Sequence, residues 1–445
     1  MNDGKRVFPI GALFITVLVL APFAKAQVAQ APGAEQAALA AGRGGRGGGR
    51  GGPAVVSPEV LPDKQVVFRI YAPNAQNITL SAGDIPASAR GAAPAPGAPA
   101  GPGRGGVAFT KNDQGVWEAT VGPVPPGAFR YVYMVDGVRT LDPVNTALSE
   151  SNTNNWSVFY VPGLDFMDDR PDVPHGAVSE IYYYSSVLKT MRRMHIYTPP
   201  GYEKGAANYP ALYLLHGAGD CDDSWTSVGR AGFILDNLIA SKRSVPMIVV
   251  MPAGHQPAAG AGRGGAPASA PTINPFTSEF MTDIMPYVEA HYRTLNDRRH
   301  RAIAGLSMGG SQTLDIAFTH LQDFADIGVF SSGAALGGRG RGAAPGAAAV
   351  PAAVSGAALA AAQETAASAW ETRHAADLDS PALKKGTRLI WMSTGADDGL
   401  IASSRATVAL LQKHGFSPVF KESQGAHTWL NWRNYLDAFA PQLFQ

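Results

Sequence analysis

Hydrophobic and polar positions change their pattern along the chain, which divides it into a β-rich part and a part where strands alternate with helices. In the first part, short segments rich in β-branched and aromatic residues are separated by turns containing Asn, Gly and Pro. This pattern favours a small antiparallel, immunoglobulin-like sandwich. The predicted strands are Val66–Tyr71, Ile78–Leu80, Val116–Val121 and Phe129–Val135. Asp136-Gly137 then predicts a tight hairpin turn.

From about Ser179 onward, short apolar runs alternate with stretches of helical periodicity. The runs are Leu212–Leu215, Met247–Met251, Ala302–Ala304, Ile327–Phe330 and Leu389–Met392, and helix-like spacing covers Phe280–Tyr292 and Ser403–His414. Continuous apolar runs of this length are typical of buried parallel strands that helices cover on both faces. The pattern predicts an α/β fold with a doubly wound, mostly parallel sheet.

The composition adds two limits. With 36 Lys and Arg against 35 Asp and Glu, the formal charge is +1, which gives no electrostatic reason to expect a nucleic acid or a membrane surface as partner. The 445 residues contain one cysteine, Cys221, so no disulfide can form within the chain. The fold must therefore be stabilised by its core.

The first residues have the features of a secretory signal peptide. Lys5 and Arg6 precede an apolar run from Ile10 to Leu20, and Ala24-Lys25-Ala26 forms a cleavage site. The apolar run is short for a bilayer span, so we expect no stable membrane insertion after cleavage. This predicts an exported protein, periplasmic or extracellular.

Segments rich in Gly, Ala, Pro and Arg separate these regions, at Ala29–Pro53, Pro86–Gly106, Gln256–Pro271 and Gly337–Gly356. They contain too little apolar bulk to offset the entropy of ordering. The predicted organisation is a signal peptide (1–26), a disordered spacer (27–56), a β module (57–162), a linker (163–178) and an α/β domain (179–445). The two insertions Gln256–Pro271 and Gly337–Gly356 each follow a predicted strand. We expect them to form either a mobile rim over a cleft or inert disordered loops.

The segment Gly305-Leu306-Ser307-Met308-Gly309 carries the strongest functional signal. It is a G-x-S-x-G pattern between an apolar run and an amphipathic stretch, as a nucleophile elbow requires. A serine nucleophile needs a histidine base and a carboxylate that orients it. The pattern therefore makes Ser307 the candidate nucleophile.

Candidate partners for the serine follow it in the chain. His427 lies in a loop between a predicted strand and the final helix, where a base can reach the serine, whereas His320, His374 and His414 have positions typical of other roles. Asp397 and Asp398 both follow the strand Leu389–Met392, and spacing does not separate them.

Two backbone donors should form an oxyanion hole. One is the N–H of Met308, and the other should come from the loop Leu215–Gly219. His216 in that loop could be mistaken for a catalytic base but more often supports the loop, and Trp225 could be a core residue or a substrate wall. No metal or cofactor is expected, because Asp220, Asp222 and Asp223 have no accompanying histidine pair and are typical of a solvated acidic loop.

Four segments together resemble carbohydrate esterase family 1, the feruloyl and acetyl-xylan esterase branch of the α/β-hydrolases, whose relatives include esterase D and enterochelin-type esterases. The segments are Tyr213–Gly217 with Trp225, Gly305–Gly310, Gly395–Ile401, and Gly425–Trp429 with Trp432. The resemblance implies a triad of Ser307, Asp398 and His427. It also implies the Ala218 N–H as second oxyanion donor, with Gly219 as the fallback, and Trp225, His216 and Trp429 on the substrate side.

The β module resembles the early-set module of carbohydrate-binding family 48. The matching segments are Phe68–Ala75, Gly115–Glu118, Pro126-Gly127 with Tyr131 and Tyr133, and Val135–Gly137 with Asp142-Pro143. The resemblance implies sugar binding. The alternative is a structural sandwich that packs on the α/β domain and shapes its cleft.

Together these features predict an exported serine carboxylesterase that hydrolyses acyl esters, most of all feruloyl esters, on plant polysaccharide without a cofactor. An acetyl-xylan esterase or a siderophore esterase would use the same triad. A polysaccharide-binding protein with an inert hydrolase domain is the alternative outside enzymes.

Overall fold

The computed structural model describes Met1 and residues 52–90, 107–256, 274–334 and 356–445. The predicted signal peptide, most of the spacer, most of the three insertions and the predicted mobile rim lie outside the described residues. Residues Pro53–Gln445 form one compact unit. The division of this unit at 163–178 stays a prediction.

The β-rich part forms two antiparallel sheets within the described residues. Its strands are β1 (Glu59–Val60), β2 (Val66–Tyr71), β3 (Ile78–Ser81), β4 (Val107–Ala108), β5 (Thr110–Lys111), β6 (Val116–Val121), β7 (Gly127–Val135), β8 (Val138–Thr140), β9 (Leu148–Glu150) and β10 (Asn155–Val161). One sheet has the order β1-β2-β6-β5, and the other has the order β4-β3-β7-β10-β9, with β8 paired to β7.

Inward-facing residues of both sheets share one apolar core, which includes Phe68, Trp117, Phe129 and Phe159. The predicted hairpin turn is present, since Val135 pairs with Val138 and both Asp136 and Gly137 have positive φ. The structure thus contains the predicted antiparallel strands. Their immunoglobulin-like class and their relation to carbohydrate-binding family 48 stay predictions.

A mixed sheet with the order β11-β12-β14-β13-β15-β16-β17-β18 occupies the rest of the unit. Its strands are β11 (Ala177–Ser185), β12 (Thr190–Thr198), β13 (Ala211–Leu215), β14 (Ile248–Pro252), β15 (Arg301–Leu306), β16 (Asp326–Phe330), β17 (Leu389–Gly395) and β18 (Val419–Ser423). Strands β13 to β18 pair in parallel, whereas β11, β12 and β14 pair antiparallel along the edge.

Helices flank this sheet. They are α1 (Ala231–Ala240), α2 (Pro275–Glu279), α3 (Met285–His291), α4 (Met308–Thr319), α5 (Gly356–Leu378), α6 (Pro381–Gly386), α7 (Ile401–Lys413) and α8 (Trp429–Phe439). A π-helical segment, Phe280–Ile284, joins α2 to α3, and short 3₁₀ turns occupy Ala87–Ala89, Tyr202–Lys204, Arg298–His300 and Ala440–Gln442.

The continuous apolar runs have a direct structural cause. On β13, Leu212 and Leu214 enter one core while Tyr213 and Leu215 enter the core on the opposite face. Because side chains alternate along a strand, a strand covered on both faces must be apolar at every position. The sheet interior therefore contains the runs that the sequence pattern identified.

The α/β prediction is confirmed, with two differences. The edge hairpin of β11 and β12 was not predicted, because its outer residues, including Tyr182 and Tyr184, are exposed and break the apolar pattern. The low-complexity segment predicted to end at Gly356 is followed at once by the long helix α5. Alanine-rich segments favour helices when one side can pack, and Trp370 of α5 is buried.

We expect Gly305→Ala to destabilise the fold, because a Cβ at Gly305 would overlap the carbonyl group of Gly309 where β15 meets α4. Overpacking of this kind costs about 1–3 kcal/mol. In the matched control Gly232→Ala on α1, the new Cβ has Tyr197 as its nearest contact at 3.9 Å, and a gain of about 0.4–1 kcal/mol is expected. Urea unfolding of both variants measures the difference; equal effects would contradict the packing argument.

Candidate active site

Ser307 lies at the turn between β15 and α4. Its φ of 52° and ψ of −115° place it in a conformation that non-glycine residues rarely adopt. Two hydrogen bonds hold this backbone, because Ser307 N–H donates to Phe330 O at 2.9 Å and Ser332 Oγ donates to Ser307 O at 2.6 Å. The strained turn projects the Ser307 hydroxyl away from the sheet, as the G-x-S-x-G pattern predicted.

His427 and Asp398 complete a hydrogen-bonded chain with this serine. His427 Nε2 lies 2.9 Å from Ser307 Oγ, and His427 Nδ1 lies 2.9 Å from Asp398 Oδ2 and 3.1 Å from Oδ1. Asp397, which spacing could not separate from Asp398, is exposed, and its N–H donates to Gly425 O. The structure therefore brings together Ser307, His427 and Asp398, and it leaves Asp397 outside.

Asp398 has an environment suited to a permanent negative charge. Burial by itself raises the pKa of Asp398, but the hydrogen bond and charge of His427 and the Leu400 N–H, 2.9 Å from Oδ1, lower it below its ordinary value. Ser331 also supports the ionised form, and Trp432 Nε1 donates to Ser331 Oγ at 3.1 Å. The carboxylate can therefore orient His427 and stabilise an imidazolium.

The oxyanion side combines the start of α4 with the loop after β13. Met308 is the first residue of α4, so its N–H has no acceptor within the helix. No hydrogen bond links the N–H of Met308 or Ala218 to another described residue. Ala218 and its fallback Gly219 both line the same cleft as Ser307, and the assignment of Met308 and Ala218 as oxyanion donors stays a prediction.

His216 supports this loop from the interior and does not face substrate. It is 1% exposed, accepts the Gly254 N–H at Nε2 over 2.8 Å and donates from Nδ1 to Gly217 O over 2.8 Å. These partners require the neutral ring, and burial lowers the pKa of His216 to about 4. The expectation that His216 contacts substrate is therefore corrected, because the ring is buried and both of its nitrogens are already paired within the protein.

Arg130 of β7 is a site residue that the sequence pattern did not identify. Its guanidinium donates from Nη1 to Asp220 at 2.8 Å, from Nη2 to Ser224 at 2.9 Å and from Nε to Ser149 at 3.0 Å. Arg130 and Asp220 are 7% and 5% exposed. The β-rich part thus anchors the loop that carries Ala218. A single arginine within a strand has no local signal that could predict this contact.

The acidic loop predicted to be solvated is largely buried and paired. Asp222 accepts hydrogen bonds from Arg193 and His195, and Asp223 accepts the Glu150 N–H at 2.8 Å. Burial opposes ionisation of Asp222, yet these partners lower its pKa to about 2. Within the described ranges, no group of three or more His, Cys, Asp or Glu side chains could hold a metal ion.

A cleft of about 360 Å³ opens at Ser307 and His427. Its walls come from the loop after β13, from the segment after β3, from β7 and from α8 with the residues just before it. Trp429 and Trp432 line it, and the Trp432 ring lies 5.0 Å from His427, edge to face. Trp225 does not line it: this side chain is 0% exposed and its Nε1 donates to Leu215 O, so the expectation of a substrate wall is corrected in favour of packing.

Residues 185–443 match the family model described as "Putative esterase". The chain belongs to this esterase family. It is 27% identical over 390 residues to an endo-1,4-beta-xylanase/feruloyl esterase of Xylanibacter ruminicola, covering 85% of this chain and 44% of that protein. It is also 30% identical over 179 residues to esterase Rv1288 of Mycobacterium tuberculosis, covering 39% of this chain and 36% of that protein. These relationships support a carboxylic ester hydrolase.

The chain spans less than half the length of these two curated relatives. Among solved structures, the enterobactin esterase of Shigella flexneri superposes with a TM-score of 0.54 at 16% identity, covering 86% of this chain and 93% of that one. That likeness shows that the two chains share a fold. In the described part of the chain, no helix has the length and apolar content to span a membrane.

The burial of neutral His216 predicts a pH dependence of stability. The stabilisation is fully present above about pH 6.5 and is lost as pH falls toward 4, because the unfolded chain then binds a proton that the folded ring excludes. The total is up to about 3 kcal/mol. His216→Asn removes this titration, so its unfolding free energy should decrease less than that of the wild type between pH 7 and 4. Parallel curves in urea unfolding would contradict this.

Proposed function

We propose that the protein is an exported serine carboxylesterase that releases acyl groups, most of all feruloyl groups, from plant cell-wall polysaccharide. The observation that carries this proposal is the continuous hydrogen-bonded chain from Ser307 through His427 to Asp398, beside a cleft. Esterase family membership makes this chain of residues the expected catalytic triad.

In the proposed reaction, Ser307 Oγ attacks the ester carbonyl while His427 Nε2 takes its proton. Asp398 holds the imidazole in the required tautomer, and the N–H groups of Met308 and Ala218 donate to the oxyanion. His427 then passes the proton to the sugar oxygen as its bond to the acyl carbon breaks, so that the sugar leaves as the free alcohol. Water attacks the acyl-enzyme with the same histidine as base, which releases the acid and restores Ser307. No cofactor takes part.

Two features favour an aromatic acyl group. The Xylanibacter ruminicola relative is named as a feruloyl esterase with a xylanase, and the match covers 85% of this chain. Trp429 and Trp432 line the cleft, and their rings offer apolar surface to a planar group. The polysaccharide substrate and the export of the protein are part of the proposal.

A siderophore ester is a second candidate, because Arg130 and Arg433 both line the cleft and would favour acidic catecholates. Arg130 already forms an ion pair with Asp220, however, and the negative charge of Asp220 weakens the attraction between Arg130 and an acidic ligand. An acetyl group has no aromatic ring, so an acetyl-xylan substrate would make less use of the aromatic side chains that line the cleft. Relative turnover of methyl ferulate, acetylated xylan and a catecholate trilactone separates these substrates.

The β-rich part is proposed to shape the cleft as well as to pack on the α/β part. Phe129 and Arg130 of β7 line the cleft directly. Sugar binding, as in carbohydrate-binding family 48, is the alternative role, and the two are compatible. Binding of insoluble xylan by the Ser307→Ala protein would test sugar binding apart from turnover.

Asp398→Asn should lower kcat on p-nitrophenyl acetate by about 10³–10⁴-fold, because His427 loses the carboxylate that fixes its tautomer. The matched control Asp397→Asn changes the adjacent, exposed carboxylate and should keep kcat within about twofold. Steady-state kinetics of both variants measures this. A larger loss in the Asp397 variant would reject the assignment of Asp398.

The wild-type protein should release ferulate from methyl ferulate and acetate from p-nitrophenyl acetate, and Ser307→Ala should abolish both activities. Serine-dependent acetate release alone would transfer the proposal to acetylated glycans. No turnover of either ester, with no inactivation by a serine-directed phosphonate, would reject the esterase and favour a polysaccharide-binding protein.

A further inference from the structure

Arg433 is a buried cation whose donors are only partly used. The side chain lies on α8 and is 1% exposed. Its Nη1 donates to Ala128 O at 3.0 Å and to Val228 O at 2.7 Å, whereas Nε and Nη2 have no hydrogen-bond partner among the described residues. Buried guanidinium donors are costly to leave unpaired. Because Arg433 also lines the cleft, an acceptor on a bound molecule can use these donors.

Asp84 of the β-rich part lines the same cleft and supplies the complementary acceptor. The carboxyl group is half-buried, and its Oδ2 accepts the Arg130 N–H at 3.3 Å. Burial raises the pKa of Asp84 above its ordinary value, although the charges of Arg130 and Arg433 act in the opposite direction. Asp84 and Arg433 thus interact through their charges, but no direct hydrogen bond joins them.

Aromatic groups surround this pair. Trp429 and Arg433 are four residues apart on α8, so they share one face of the helix, and His427 precedes the same helix. The Arg433 guanidinium lies 6.0 Å from the Phe129 ring centroid, and the Arg130 guanidinium lies 5.8 Å from that of Trp429. One cleft is therefore lined by Ser307 and His427, by aromatic side chains, by Arg433 with its unused donors and by the Asp84 acceptor.

We propose that Asp84 and Arg433 form a subsite for a neutral hydroxyl group of the ester substrate. Arg433 donates to the hydroxyl oxygen, and a carboxyl oxygen of Asp84 accepts the hydroxyl proton. A carboxylate ligand would satisfy Arg433 but offers Asp84 no donor, and an ammonium group would be repelled by Arg433. The inference rests on the proposed function for the identity of the substrate, and the hydroxyl belongs to the phenolic ring or to the sugar.

Isothermal titration calorimetry on the Ser307→Ala protein separates these sources, because the esters bind without turnover. One comparison sets methyl ferulate against methyl 3,4-dimethoxycinnamate, which lacks the free phenol. The other sets methyl 5-O-feruloyl-arabinofuranoside against methyl ferulate, which lacks the sugar. A site that hydrogen-bonds a hydroxyl should favour the hydroxylated member of one comparison by about tenfold or more in Kd.

Asp84→Asn tests the acceptor in the same protein. Its amide oxygen can keep the hydrogen bond from the Arg130 N–H, which leaves an NH₂ donor facing the hydroxyl in place of an acceptor. The preference should therefore fall to about twofold or less. The matched control Asp113→Asn changes an exposed carboxylate in the turn before β6 and should keep the preference. Arg433→Lys should also lower it, and thermal unfolding identifies any variant that fails to fold.

If Asp84→Asn loses the preference for methyl ferulate over the dimethoxy ester, the subsite binds the phenol of the acyl group. If it loses the preference for the feruloyl-arabinofuranoside over methyl ferulate, the subsite binds a hydroxyl of the leaving sugar. Equal Kd values in both comparisons for the Ser307→Ala protein, or preferences unchanged by Asp84→Asn, would overturn the inference. Turnover is measured separately on the protein with Ser307 intact. Absence of ester hydrolysis with a preserved hydroxyl preference would reject only the proposed function.

Discussion

The strained turn at Ser307 is the constraint on which the rest of the site depends. A non-glycine residue at φ 52° and ψ −115° is costly, and it persists only where packing overdetermines it. Here β15 and α4 meet at Gly305 and Gly309 with no space for a Cβ. The parallel strands β13 and β17 of the same sheet then bring the loops that carry Ala218 and Asp398 to the same edge as Ser307.

Buried polar contacts hold the loop after β13, which carries Ala218 and forms one wall of the cleft. Arg130 reaches from the β-rich part to Asp220 and Ser224, so the loop with Ala218 is positioned by residues about 90 positions earlier in the chain. Removing one partner would leave a buried charge without compensation, which is why such a pair specifies one arrangement of the loop. The β-rich part is thereby an integral component of the cleft, through hydrogen bonds as well as apolar packing.

Under the proposed function, the groups of the cleft act on different parts of an ester. Ser307, His427 and the two predicted oxyanion donors would surround the carbonyl, while Trp429 and Trp432 provide an apolar wall. Asp84 and Arg433 line the same cleft and offer an acceptor and a donor, respectively, outside the proposed triad. Under the proposed function, hydrolysis and substrate choice depend on different residues, which is how one esterase framework can serve several substrates.

The sequence alone determined the α/β class, the nucleophile elbow and the order of serine, acid and histidine, because these depend on local periodicity and on short motifs. Spacing left Asp397 and Asp398 unresolved, and only the family resemblance favoured Asp398. The resemblance also placed Trp225 and His216 on the substrate side, although both are buried. The sequence contained no signal for Arg130, Arg433 or Asp84 as residues of the cleft. Only the tertiary structure decided these points, because burial and pairing depend on which distant segments meet, and a residue's neighbours in the chain do not record that.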